Sequence, residues 1–115
     1  MTRADPPAGE GAGLHVWLDD ARPEPAGWVR VWWPAEAIAL LAAGRVAVIS
    51  LDHDLGDDGI GTGYDVARWL EEQVVMHGFT PPEVRVHSAN PVGRARMLQA
   101  IAGIRRHLDG RADAR

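Results

Sequence analysis

Acidic residues gather in this chain where short apolar runs stop. The run Val46–Leu51 (VAVISL) is followed at once by Asp52, His53 and Asp54, then by Asp57 and Asp58, with no basic residue before Arg68. A shorter run, Leu14–Leu18 (LHVWL), ends in Asp19 and Asp20. Carboxylates held close together repel one another, so such a cluster requires a cation, a proton or another partner. Hard oxygen ligands of this kind suit Mg²⁺ or Mn²⁺. Asp19, Asp20 and Asp52 are therefore the candidate metal ligands, with Asp54 close behind, while Asp57 and Asp58 read as loop-solvating or capping residues. Two histidines share this setting: His53 directly follows Asp52, and His87 ends the run that begins at Val84. An imidazole pair can act as general acid and base near neutral pH, with Asp52 or Asp54 orienting one ring. His15, His77 and His107 lack such placement and read as structural.

A second group of residues is suited to holding an anion. Ser88-Ala89-Asn90 precedes Pro91, and Asn90 as N-cap with proline at N1 marks the start of a helix. The first N–H groups of a helix form a ready anion site, to which the Ser88 hydroxyl can add. Arg94 and Arg96 fall in or just after the first turn, where positive charge opposes the helix dipole. Cations so placed point to an anion beside them. Arg94 is the primary candidate for a bidentate phosphate contact and Arg22, after the acidic pair, the second. Arg96, Arg105 and Arg106 read as a solvated helix face. Thr62, with Asp65 three residues on, fits a capping box and also stands near the acidic loop.

The elements that must position these groups follow from periodicity and punctuation. Val46–Leu51 is β-branched, apolar and too short for a helix, as expected of a strand buried on both faces of a parallel sheet. Strands are predicted also over Leu14–Leu18, Val29–Trp33 and Val84–His87. Helices are predicted from Pro34 to Gly44 (with Ala37, Ile38 and Leu41 inward), from Thr62 to Gly78 (Val66, Ala67, Leu70, Val74) and from Pro91 to about Leu108 (Met97, Leu98, Ile101, Ile104, Leu108). The Pro-rich connection ARPEPAGW after Asp20 is too short for a full helix. Residues 1–12 and 110–115 are expected to be mobile tails around a single domain, 13–109. Of five tryptophans at least two should enter the core; Trp28 and Trp33 flank the short second strand and could cover a base, although packing under the Pro-rich loop is the expected use.

Composition narrows the chemistry. No cysteine is present, which excludes thiol, disulfide and zinc-thiolate sites. All 12 basic residues are arginine, so every mechanism that needs a lysine amine is excluded. The net charge of −4 argues against stable duplex DNA binding, although residues 85–115 carry seven arginines against two aspartates. Apolar runs are too short to cross a membrane and the first residues lack a signal-peptide pattern, so a soluble cytoplasmic protein is expected.

Three marks resemble a receiver domain of two-component signalling: Asp19-Asp20 after the first strand, Asp52 after the third, and Ser88-Ala89 after the fourth. The receiver's lysine has no counterpart here. Four motifs in order, WLDDARP (17–23), ISLDHDLG (49–56), GTGYD (61–65) and VHSANPVGRARM (86–97), resemble more closely the cyclic-phosphate processing receiver-like domains, over roughly Leu14 to Ile104. The resemblance implies an α/β, receiver-like (flavodoxin-like) three-layer fold with a short, mostly parallel four-stranded sheet in the order 2-1-3-4. It further implies a role on cyclic phosphates, such as the 2′,3′-cyclic ends of RNA during repair or cyclic nucleotides.

Combined with the residues, this gives the expectation of a metal-assisted phosphoesterase. Its catalytic residues would be Asp52, His53, Asp54 and His87; its phosphate ligands Ser88, Asn90, Arg94, Arg22 and Thr62; its cation, Mg²⁺ or Mn²⁺, would be held by Asp19, Asp20 and Asp52. Two other readings fit the same residues. One is an aspartyl-phosphate-forming phosphatase with Asp52 as nucleophile and Asp54 as acid, against which the absent lysine counts. The other is a non-catalytic module that binds a phosphate or cyclic nucleotide.

Overall fold

The computed structural model describes residues 13–52 and 61–113. Its centre is a sheet of four parallel strands, β1 (Leu14–Leu18), β2 (Val29–Val31), β3 (Val46–Leu51) and β4 (Glu83–Val86), in the order β2-β1-β3-β4. Three helices follow the last three strands: α1 (Pro34–Ala42), α2 (Gly63–His77) and α3 (Pro91–Asp113). Receiver-like class, parallel pairing and strand order are those expected from the sequence.

The core lies on one face of the sheet. Val16, Leu18, Val31, Ile49 and Leu51 project there and form a single cluster with Ala37 and Leu41 of α1, Val66, Ala67, Leu70 and Val74 of α2, and Met97, Ala100 and Ile104 of α3. Connection handedness explains the one-sidedness. Steps β2 to β3 and β3 to β4 run in the same direction across the sheet, so right-handed crossovers carry α1 and α2 to the same face. The step β1 to β2 runs the other way, which sends its connection to the opposite face. That connection is the Pro-rich loop, not a helix. In place of a second helical layer, Trp28 lies edge-on to His15 (ring centroids 5.2 Å) and Trp17 (5.9 Å), and the Trp17 indole Nε1–H donates to the Arg22 carbonyl at 3.1 Å. The helical layering thus differs from a three-layer sandwich: one sheet face is packed by helices, the other carries this loop.

Several boundaries and burials differ from expectation. β2 ends at Val31 because the Glu36 carboxylate accepts both the Trp32 and Trp33 N–H groups, at 2.9 and 3.0 Å, and draws them into the start of α1. β4 runs from Glu83 to Val86, leaving His87 one residue past its end. α3 continues to Asp113, beyond Leu108, since no proline follows Pro91 to stop it. Leu98 is exposed; Met97, Ala100 and Ile104, at helical spacing, make the inward stripe instead. No tryptophan is fully buried: Trp17, Trp28 and Trp69 are partly covered, Trp32 and Trp33 exposed. The expected tail 1–12 lies outside the described residues.

One glycine fixes how α2 meets the sheet. A Cβ on Gly63 would stand 2.1 Å from the Asp52 carbonyl oxygen and 3.1 Å from the Met97 sulfur. Only a residue without a side chain lets the first turn of α2 close on the end of β3. Replacing it (Gly63→Ala) should destabilise the protein by about 1–3 kcal/mol, as overpacking does, read as a lower urea midpoint at unchanged m-value. An unchanged midpoint would show that this approach is not needed.

Candidate functional site

Three residues that follow three adjacent strands line up at the carboxyl edge of the sheet. Leu18 is register partner of both Val31 and Leu51, and Leu51 of Val86. The ladder continues one residue further: Asp19 N–H donates to Val31 O (3.2 Å), Asp52 N–H to Leu18 O (3.1 Å) and His87 N–H to Leu51 O (3.0 Å). Asp19, Asp52 and His87 therefore share a row. Because side chains alternate along a strand, they project on the face opposite the helices, as Trp17 and Ser50 do two residues earlier. Carboxyl edges of open α/β sheets are where such folds bind ligands.

In this row the side chains close on one point. One ligand atom from each of Asp19, Asp52 and His87 lies within 4.8 Å of the others, with both acids buried. Asp19 has no exposed surface. Its Oδ1 accepts the Ala21 and Arg22 N–H groups at 2.7 and 2.8 Å, while Oδ2 is 3.0 Å from His87 Nε2. On the other side of the ring, His87 Nδ1 is 2.7 Å from Ser50 Oγ. Trp17 stacks flat on the imidazole, 3.7 Å between centroids and 4° between planes. His87 is thus held at both nitrogens and on one face. A serine hydroxyl can donate or accept, so Ser50 serves either ring tautomer.

Electrostatics favour an ionised Asp19 beside a neutral His87 ring. Burial works to raise the Asp19 carboxyl, but the two backbone N–H donors and the contact with His87 more than offset it and hold it below its ordinary 3.8. Burial pushes His87 below its ordinary 6.5; the hydrogen bond to Asp19 and the charges of Asp19 and Asp52 oppose this without reversing it, and the Arg22 cation adds to it.

The predicted phosphate ligands flank the same row. Arg22 Nη1 donates to the His87 carbonyl at 2.6 Å and Arg94 Nη1 to the Val86 carbonyl at 3.3 Å, which sets both exposed guanidinium groups beside the end of β4. Ser88 is buried and its Oγ accepts the Asn90 N–H (3.1 Å); Asn90 Oδ1 accepts the Gly93 N–H (3.0 Å), capping α3. Thr62 stands at the start of α2, where its N–H donates to the Asp65 carboxylate at 2.8 Å. Gly63 brings that helix end onto Asp52.

Asp20 does not join the set. The chain turns directly after Asp19, whose Oδ1 gathers the next N–H groups, and among the described residues His87 completes the group in its place. His53 and Asp54 lie outside the described residues. Sequence reading missed Ser50 and Trp17. Each stands two residues before a site acid, and that period of two was the available signal.

Acid sensitivity follows from these shifts. Both folded-state pKa values are depressed, so each group contributes stability that is complete above its unfolded value and lost as pH falls through its folded value. With chelator present, stability should fall first below about 6.5, for His87, and again below about 3.8, for Asp19. His87→Gln should flatten the first decline and keep most of the second, measured by urea unfolding across pH. An unaltered slope between pH 7 and 5 in that variant would contradict the assignment.

Residues 14–103 match the family model described as the cyclic-phosphate processing receiver domain. No curated protein and no solved structure matches the chain. Among the described residues, no helix is long and apolar enough to cross a membrane.

Proposed function

The chain belongs to the cyclic-phosphate processing receiver domain family, and from that premise we propose that it is a metal-assisted phosphoesterase. Its substrates would be 2′,3′-cyclic phosphate ends of RNA or cyclic nucleotides. The observation that carries this reading is the convergence of two buried acids and one fixed imidazole on a single point.

Opening a cyclic phosphate breaks one phosphorus–ribose oxygen bond as a water oxygen bonds to phosphorus. One proton leaves the water and one reaches the departing ribose oxygen. The donor set fits a divalent cation: two carboxylates supply hard oxygen, and the added imidazole nitrogen favours Mn²⁺ over the more strictly oxygen-seeking Mg²⁺. When bound, such an ion polarises a phosphoryl oxygen and acidifies water.

Asp19 and Asp52 would hold the ion. His87 joins them when its proton sits on Nδ1 and is donated to Ser50 Oγ, which leaves the Nε2 lone pair directed at the acids; ring orientation by such a partner is how ligating histidines are tuned. Held at Nδ1 by Ser50, His87 is placed to serve as a ligand once a cation takes the place of its Nε2 contact with Asp19. Proton transfer falls to His53 and Asp54, which adjoin Asp52 in sequence. Arg22 and Arg94 supply guanidinium charge to the non-bridging oxygens, and the start of α3 with Ser88 and Asn90 supplies oriented dipoles. Thr62 sits where the start of α2 can contribute likewise.

Purified protein with Mn²⁺ should convert adenosine 2′,3′-cyclic phosphate and cyclic-ended RNA to monophosphate products, and EDTA should abolish this. Asp19→Asn and Asp52→Asn should each lower kcat by about 10²- to 10³-fold, the loss typical of removing one group that stabilises transition-state charge. Intact substrate under conditions in which a control enzyme turns over would defeat the reading. Tight binding by calorimetry without product would replace it with a ligand-sensing module.

A further inference from the structure

The row at the carboxyl edge extends one strand beyond Asp19. Val31 of β2 is the register partner of Leu18, and the Asp19 N–H bonds to its carbonyl, so Trp32, which follows β2, comes at the same edge as Asp19, which follows β1. Arg30 and Trp32 are two apart and share the face opposite the helices. The Arg30 guanidinium carbon lies 4.1 Å from the Trp32 ring centroid, while its Nε–H donates to the Asp19 carbonyl at 3.0 Å. Arg30 thereby ties the indole to the site acid through one side chain.

Trp32 remains 45% exposed although Arg30 covers part of it. Trp33, next in sequence, is exposed as well, so two adjacent indoles stand open just after β2. Their segment ends at the acidic row and not at the far edge of the sheet. An indole with a cation against it, next to a site flanked by the guanidinium groups of Arg22 and Arg94, suits a ligand that is anionic at one end and a flat π-system at the other.

We infer that Trp32 is the platform on which the nucleobase of the substrate stacks, held in place by Arg30, so that the site takes nucleoside phosphates in preference to base-free cyclic phosphates. The inference rests on the phosphoesterase reading for the position of the phosphate, and it deepens that reading by naming the residue that selects for a base. A nucleoside 2′,3′-cyclic phosphate carries its base on C1′ and its phosphate across C2′ and C3′, on opposite faces of one ribose, so base and phosphate stay within a sugar's width of each other, as a platform beside the acids requires. Stacking of this type tolerates any base, so discrimination is expected between base and no base, with little between purines and pyrimidines of similar stacking strength. Trp28, by contrast, is taken up by His15, Trp17 and Arg85 under the loop.

The test measures binding and turnover separately on the full chain. By calorimetry, adenosine 3′-monophosphate should bind about ten- to a hundredfold more tightly than ribose 3-phosphate, the range that stacking of one base supplies. Trp32→Ala should bring the two ligands to similar affinity and Trp32→Phe should restore most of the difference. In turnover the same variant should raise KM for adenosine 2′,3′-cyclic phosphate more than it lowers kcat. Equal affinities in the wild type, or a preference untouched by Trp32→Ala, would overturn the platform. So would finding that Trp32→Ala only dissolves a dimer, which would make the patch a self-association face. Base-dependent binding lost in Trp32→Ala, without turnover of either ligand, would support the platform while removing the phosphoesterase reading.

Discussion

Everything at the site depends on a hydrogen-bonded ladder that continues one residue past the ends of the strands. Three backbone bonds, Asp19 to Val31, Asp52 to Leu18 and His87 to Leu51, bring residues far apart in sequence into one row with a spacing set by sheet geometry. Side chains at the tips of independent loops would have to be ordered at an entropic cost. Here the backbone that orders the core also sets the positions of Asp19, Asp52 and His87.

Burial of two carboxylates beside an imidazole works against folding unless each group is answered. Asp19 is answered by two backbone N–H donors from the turn that follows it, and His87 by Ser50 on one nitrogen and Asp19 on the other. Trp17 covers one face of the ring. The one-sided distribution of helices makes room for this arrangement. With no helix between β1 and β2, the described residues that cover the face bearing His15, Trp17, Ser50 and His87 belong to a loop with Trp28 and not to a helical layer.

Much of this was legible in the amino-acid order. Acid placed after apolar runs pointed to the sheet edge where Asp19 and Asp52 come together, prolines at N1 marked two helix starts and a glycine the end of α2, and the alternation of elements gave the parallel sheet. What could not be read was which polar residues the crossovers would superimpose. Asp19 and His87 are 68 positions apart and meet because the crossovers leave only β3 between β1 and β4, whereas Asp20, adjacent to Asp19, is turned away by a local bend. Ser50 looked like an interruption in a buried strand, though its hydroxyl fixes the ring. The tryptophans misled for a related reason. Their size argued for the core, but the inward positions of β1 and β2 went to Val16, Leu18 and Val31, leaving the indoles on the other face or at the rim.

The central claim is that Asp19, Asp52 and His87 act as one cation-holding group. Its most direct test is electron spin-echo spectroscopy of Mn²⁺ titrated into the full chain. A single bound Mn²⁺ should show coupling to one imidazole nitrogen, and that coupling should vanish in His87→Gln while Asp52→Asn weakens binding. Mn²⁺ bound without any nitrogen coupling, or coupling that persists in His87→Gln, would contradict the account.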